Sequence, residues 1–387
     1  MTAFAQLPRS PLDKLLFTPG PLTTSMTVKQ AMLRDLGSRD HEFRRIIVDV
    51  RERLLAVAGL TRAEGYEAIP LQGCGTMGLE AVLTSTLPPQ GKLLVLINGA
   101  YGERIFRMAQ LLPGIEPLAY RVPEDQTFDA AEVERRLAAD SAIAMVVVVH
   151  CETTTGILNP LVPVGQVVRR HGRRFFVDSM SALGGVEFDF RGCGIDYLVS
   201  SANKCIEGVP GFSFVLCRRE ALESAAGRAR SLSLDLLAQL RGFEADGQFL
   251  YTPPTHALLA FHRALAELTL EGGVPARAAR YARNQHVLVD GMRSLGFETF
   301  VPDALQSSII TTFRNPVLPG FTFQAFYDRL EELGFVIYGG KVLHQATFRI
   351  GTIGRLFESD IRALLAAIRQ TLAELSSRNI NAHFTLP

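Results

Sequence analysis

The chain has 387 residues, 47% of them hydrophobic, and its 40 Lys and Arg balance 39 Asp and Glu to a formal charge of +1. That length holds a large core plus a smaller one, and the charge gives no electrostatic reason to expect nucleic acid or an anionic membrane as partner. Five cysteines without a C-x-x-C pair argue against a metal site or a disulfide framework and fit a cytoplasmic protein, and no apolar run reaches signal-peptide or membrane-spanning length.

Residues 1–25 read as an irregular Pro- and Thr-rich segment around FTPGPLTTS. Ser25 is the expected N-cap of a helix running to about Asp35, and EFRRIIVDVRERLLAVAG has apolar residues at helical spacing. LQGCGTMGLEAVL then spells G-x-G-x-x-G at Gly73, Gly75 and Gly78. A dinucleotide site needs a strand before these glycines, a helix after them and an acid about 20 residues on. The helix is plausible. GYEAIPLQ, interrupted by Pro70, reads as a poor strand, and Asn98 stands where the acid belongs. An NAD-dependent oxidoreductase therefore rests on the glycines alone. What survives is an anion cradle, with helix-start amides joined by the Thr76 hydroxyl. The alternative is a tight turn with packing glycines.

From about residue 65, short apolar runs alternate with amphipathic helix patterns. The valine run Val146–Val149 reads as a strand buried on both faces, so the organisation is α/β with a mainly parallel sheet. RRFFVDSMSALGG puts Asp178 at the carboxyl end of one strand, and DYLVSSANKCIEGVPG puts Lys204 just past the next. Ligands of open α/β sheets sit at such strand ends. Asp178 could instead cap a turn, and Lys204 could be a solvated surface lysine. Its small and apolar neighbours favour an enclosed stem, whose desolvation makes the amine a nucleophile. Beyond residue 275, strand candidates SSIITTFR, FVIYGG and TFRIGTI and two helices suggest a small α+β domain.

Cradle, strand-end acid and enclosed lysine are what pyridoxal 5'-phosphate requires. The ordered set Gly75-Thr76, Asp178, Lys204 resembles the aspartate-aminotransferase fold in its class V branch. TPGPLTTS, INGAYGER, HCETTTGILNP, SANKCIEGVPGF and FRIGTIG are similar to the transaminases of that branch acting on 2-aminoethylphosphonate and pyruvate, with a match from about Leu15 to past Gly354. One departure is Leu36, where the family usually has Trp.

The resemblance implies the PLP-dependent transferase fold type I. It implies an N-terminal segment 1–25 near the active site, a PLP-binding domain 26–275 and a C-terminal domain 276–387. Lys204 matches the Schiff-base lysine, Asp178 the pyridinium partner, and Cys74, Gly75 and Thr76 the phosphate loop, where Cys74 replaces a more usual serine-like residue. Tyr101 matches the aromatic ring that stacks on the cofactor, and Thr153 the hydroxyl that bonds its phenolic oxygen, with a plain Thr-rich turn as the alternative. Thr252 resembles a segment that reaches the neighbour's cofactor phosphate, which implies a homodimer with shared active sites. Arg349 resembles the arginine that binds the substrate carboxylate, and Arg39 is the second candidate cation. The implied substrates are small molecules, with no metal. An alanine–glyoxylate or serine–pyruvate transaminase is the alternative activity.

Overall fold

The computed structural model describes Arg9, residues 13–343 and residues 345–382. Its central sheet has seven strands: β1 (Tyr66–Gln72), β2 (Lys92–Ile97), β3 (Glu116–Arg121), β4 (Ile143–Val149), β5 (Arg174–Asp178), β6 (Tyr197–Ser201) and β7 (Phe212–Arg218). They lie in the order β1-β7-β6-β5-β4-β2-β3. The strands β2 to β6 pair in parallel, while β7 runs antiparallel between β6 and β1. In β4 every residue but Ala144 is buried, as a strand covered by helices on both faces must be.

The poor-strand reading of GYEAIPLQ is corrected. β1 is a full strand, and Pro70 stands opposite Phe214 within it. A strand tolerates proline where the missing N–H would face away from its partner, at a sheet edge, and β1 is the edge strand. The outward carbonyl of Ala68 accepts from Nε of buried Arg51 at 2.8 Å; Pro70, two residues on, faces the same way. The dinucleotide reading fails on topology instead, because β1 does not adjoin β2.

Of the helices packed around the sheets, six carry the description that follows: α1 (His41–Val57), α2 (Gly75–Thr86), α3 (Ala100–Gln110), α4 (Thr255–Glu271), α5 (Gly273–Ser294) and α6 (Glu358–Ala382). Ser25 is the N-cap expected of it, its Oγ accepting from the Val28 amide at 3.1 Å. Its helix is shorter than expected, Met26–Gln30. Leu33, beyond the end, is 83% exposed.

Strands β8 (Ile310–Arg314), β9 (Tyr338–Gly339) and β10 (Thr347–Gly351) form a smaller antiparallel sheet in the order β8-β10-β9. Buried apolar residues gather into one large cluster on the central sheet and a second built from α5, α6 and the small sheet, with Phe297, Phe313 and Phe348 at its centre. The N-terminal segment is not wholly irregular. Leu15–Leu16 pairs in parallel with Phe335–Val336, and Phe17 joins the second cluster. No described helix is long and apolar enough to cross a membrane.

Candidate active site

β5 delivers Asp178 at its last residue, paired with Val149 on one side and Val199 on the other. The carbonyl of Asp178 accepts from the His150 amide at 2.8 Å, and Oδ1 accepts from the Met180 amide at 3.0 Å. Burial pushes the carboxyl up to about 6, against the pull of the Met180 amide and of the Arg104 and Lys204 charges. Past β6 the chain folds tightly, with the Glu207 amide donating to the Lys204 carbonyl at 2.7 Å. Nζ of Lys204 donates to the carbonyls of Pro19 (2.9 Å) and Gly20 (3.3 Å). Burial holds this amine below the usual lysine range, although Tyr101 and Asp178 draw it upward.

α2 starts at Gly75, and its N-cap Cys74 makes no side-chain capping bond. The first-turn amides thus remain available to an acceptor from outside the helix. A Cβ on Gly75 would stand 2.4 Å from Sδ of Met180, so a side chain there would push the flexible end of Met180 aside. Thr76 Oγ1 accepts from Nη1 of Arg104 at 3.3 Å.

Tyr101 and Thr153 meet through the residue between Cys151 and Thr153. The buried carboxylate of Glu152 accepts from the amides of Gly102 (3.2 Å) and Thr154 (3.2 Å) and from Oγ1 of Thr154 (2.5 Å). It closes the start of α3 against the HCETTTG turn. Thr154 Oγ1 in turn accepts from the Ala100 amide at 2.9 Å. Thr154 is therefore the local capping threonine, and Thr153 faces the cavity. Burial works to raise the Tyr101 hydroxyl, but its bond to Thr153 and the charges of Lys341, Lys204 and Arg349 leave it below the usual tyrosine range.

One cavity of about 220 Å³ is lined by Cys74, Gly75, Thr76, Tyr101, Thr153, Asp178 and Lys204 together with Arg104. A roomier hollow of about 630 Å³ beside Leu295–Glu298 and α6 contains none of the expected residues. Seven expected residues thus converge. Arg349 stands just outside: its side chain is 3% exposed, and it donates through Nε to Gly339 O (3.0 Å) and through Nη1 to Thr153 O (2.8 Å). It also bonds Tyr101, and burial lowers its pKa against that partner's pull. Arg39 and Thr252 are exposed and do not line the cavity of their own chain. Arg104 and Glu152 are the residues the sequence did not single out. Arg104 had a readable signal, one helical turn past Tyr101, with its guanidinium 4.8 Å from that ring.

These residues fit pyridoxal phosphate. The helix start, Thr76 and Arg104 suit a phosphate, Asp178 is a buried acid able to face a ring cation, and Lys204 is an amine whose burial favours its neutral form.

The model for the family described as "Aminotransferase class-V" matches residues 24–341. A 2-aminoethylphosphonate–pyruvate transaminase of Klebsiella pneumoniae is 51% identical over 356 residues, covering 92% of this chain and 96% of that one. One from Syntrophobacter fumaroxidans is 49% identical over 359 residues, with the same coverage of each chain. Among solved structures, pyridoxamine–pyruvate aminotransferase from Mesorhizobium loti has a TM-score of 0.83 at 25% identity, covering 95% of this chain and 94% of that one. Ureidoglycine–glyoxylate aminotransferase from Bacillus subtilis, at 23% identity, shares the fold with a TM-score of 0.85, covering 94% of each chain.

Proposed function

The chain belongs to the class-V aminotransferase family, and from that membership we propose that it transfers the amino group of 2-aminoethylphosphonate to pyruvate, giving phosphonoacetaldehyde and L-alanine. The likeness, near half-identity over almost the whole length of transaminases so named, carries the reading. Pyridoxal 5'-phosphate is the cofactor; when bound, it supplies an electron sink for the carbanion formed at the amino-bearing carbon. Asp178 keeps a proton at the pyridine nitrogen. The Lys204 amine would anchor the cofactor and, once freed, carry the proton taken from the substrate's amino-bearing carbon. A lowered lysine pKa raises the neutral fraction that can do this. The amides of Cys74, Gly75 and Thr76, with Arg104, hold the phosphate, Tyr101 stacks on the ring, and Thr153 bonds its phenolic oxygen. Arg349 takes the carboxylate of pyruvate or alanine through the guanidinium fork.

The site is shared by two chains of a cytoplasmic homodimer, with exposed Thr252 reaching the partner's phosphate. The two apolar clusters support a division into a PLP-binding domain, residues 26–275, and a C-terminal domain, residues 276–387. The N-terminal segment meets the site through the Pro19 and Gly20 carbonyls, which accept from Lys204.

The test supplies purified holoenzyme with 2-aminoethylphosphonate and pyruvate and measures both products. Alanine formation from serine or glyoxylate-linked donors, and none from the phosphonate amine, would sink this reading. Borohydride should fix the cofactor to Lys204 by mass spectrometry.

A further inference from the structure

In an amino acid the carboxylate is bonded to the amino-bearing carbon. In 2-aminoethylphosphonate the anionic group lies one carbon further out, with three oxygens and a charge that approaches −2 as in phosphate esters. One guanidinium fork serves two oxygens. Arg349 already gives Nε to Gly339 and one Nη1 proton to Thr153. A phosphonate therefore has an oxygen and a charge that call for another cation.

Lys341 follows β9 by two residues, and it is the Gly339 carbonyl at the end of β9 that receives Arg349 Nε. The Lys341 ammonium lies 5.3 Å from the centre of the Tyr101 ring, whose hydroxyl is bonded to Thr153 and Arg349. Lys341 thus reaches the aromatic group that Arg349 touches. Its side chain is exposed, and among the described residues no carboxylate pairs with it. Lys341 also lines a hollow of about 580 Å³ with Arg104, Arg107 and Arg121. Arg104 lines both this hollow and the Lys204 cavity, so the two adjoin. The acids there are engaged: Glu103 grips Arg121 through both oxygens, and Glu124 accepts from the Leu343 amide at 3.0 Å. The approach to the cavity is left positive.

We propose that Lys341 binds the phosphonate group of the amino donor beside Arg349, and that the cationic hollow is the route by which it arrives. This rests on the reaction proposed above. The test compares wild-type holoenzyme with Lys341→Met and Lys341→Arg. In Lys341→Met, kcat/KM for 2-aminoethylphosphonate should fall about tenfold more than kcat/KM for L-alanine, the scale of one lost hydrogen bond to a charged group. Lys341→Arg should restore most of the difference. Calorimetric titration with ethylphosphonate, which cannot react, should show weaker binding to Lys341→Met, with propionate binding unmoved. Equal losses for both donors, or unchanged ethylphosphonate binding, would overturn the assignment while leaving the reaction standing. A wild-type enzyme inactive on the phosphonate amine would remove both.

Discussion

Burial and ionisation oppose each other at Asp178. Its native pKa of about 6 lies above the ordinary 3.8. Below both values the carboxyl is protonated in either state. Between them the folded chain holds a proton that the unfolded chain has lost, so this residue's contribution to stability falls as pH rises from about 4 to 6, by about 3 kcal/mol. Cofactor-free Asp178→Asn is expected to lose that slope and to be more stable at pH 7 than wild type, while amino transfer collapses. Denaturant unfolding at pH 4 and pH 7 reads the first, and alanine formation the second. An unchanged slope would refute the account. Most of the cavity was legible because Asp178, Lys204 and Cys74–Thr76 each stand at a strand end or helix start, where local sequence announces position. Glu152 was not, because its work is to join two segments about 50 residues apart, and no local spacing records that closure.

Elements meet around the lysine turn in two ways. From the N-terminal side, Gly20 lies over it with φ of +111°. A Cβ there would stand 2.6 Å from both Asn203 O and Lys204 Cδ. Gly20→Ala is expected to cost about 1–3 kcal/mol from the backbone conformation alone and to displace the amine. Thermal unfolding and the yield of borohydride-fixed Lys204 should both fall; a normal yield would contradict the close approach. From the other side, Arg280 on α5 donates to Glu207 (2.7 Å), to Glu271 at the end of α4 (2.7 Å), and to the carbonyls of Gly354 (2.6 Å) and Leu356 (2.9 Å) just past β10. One guanidinium thus fixes the lysine turn to the segment that follows Arg349. Arg280→Met should destabilise the fold by roughly 3 kcal/mol, since it leaves buried Glu207 and Glu271 to Arg277 alone among the cations; urea unfolding gives the value, and a loss under about 1 kcal/mol would show that Arg277 suffices. At this scale the clearest miss was Pro70. Proline breaks a strand inside a sheet, whereas β1 is an edge strand, and edge position is decided by the order of strands that sequence does not state.

At the scale of the whole molecule, the alternation of apolar runs and helices was enough to read an α/β fold with a mainly parallel sheet. The reversed strand β7 was not, because an apolar run carries no direction. The proposed shared site makes a clear prediction. Thr252→Asp, which sets a charge against a phosphate, and Lys204→Ala should each be inactive, whereas dissociated and re-mixed chains should regain activity. In a mixed dimer one of the two sites has an intact Lys204 and a partner with intact Thr252. No recovery on mixing would mean that each chain's site is its own. The pairing of Leu15–Leu16 with Phe335–Val336 spans about 320 residues of chain, and it has a consequence in time. A ribosome adding about 5–20 residues per second makes the first strand roughly a quarter of a minute to a minute before its partner exists. For roughly the last 130 residues of that interval, about 7 to 26 seconds, the lysine turn already exists but no paired strand holds Pro19 and Gly20 across it, so the newborn chain keeps its reactive amine open until Phe335–Val336 is made.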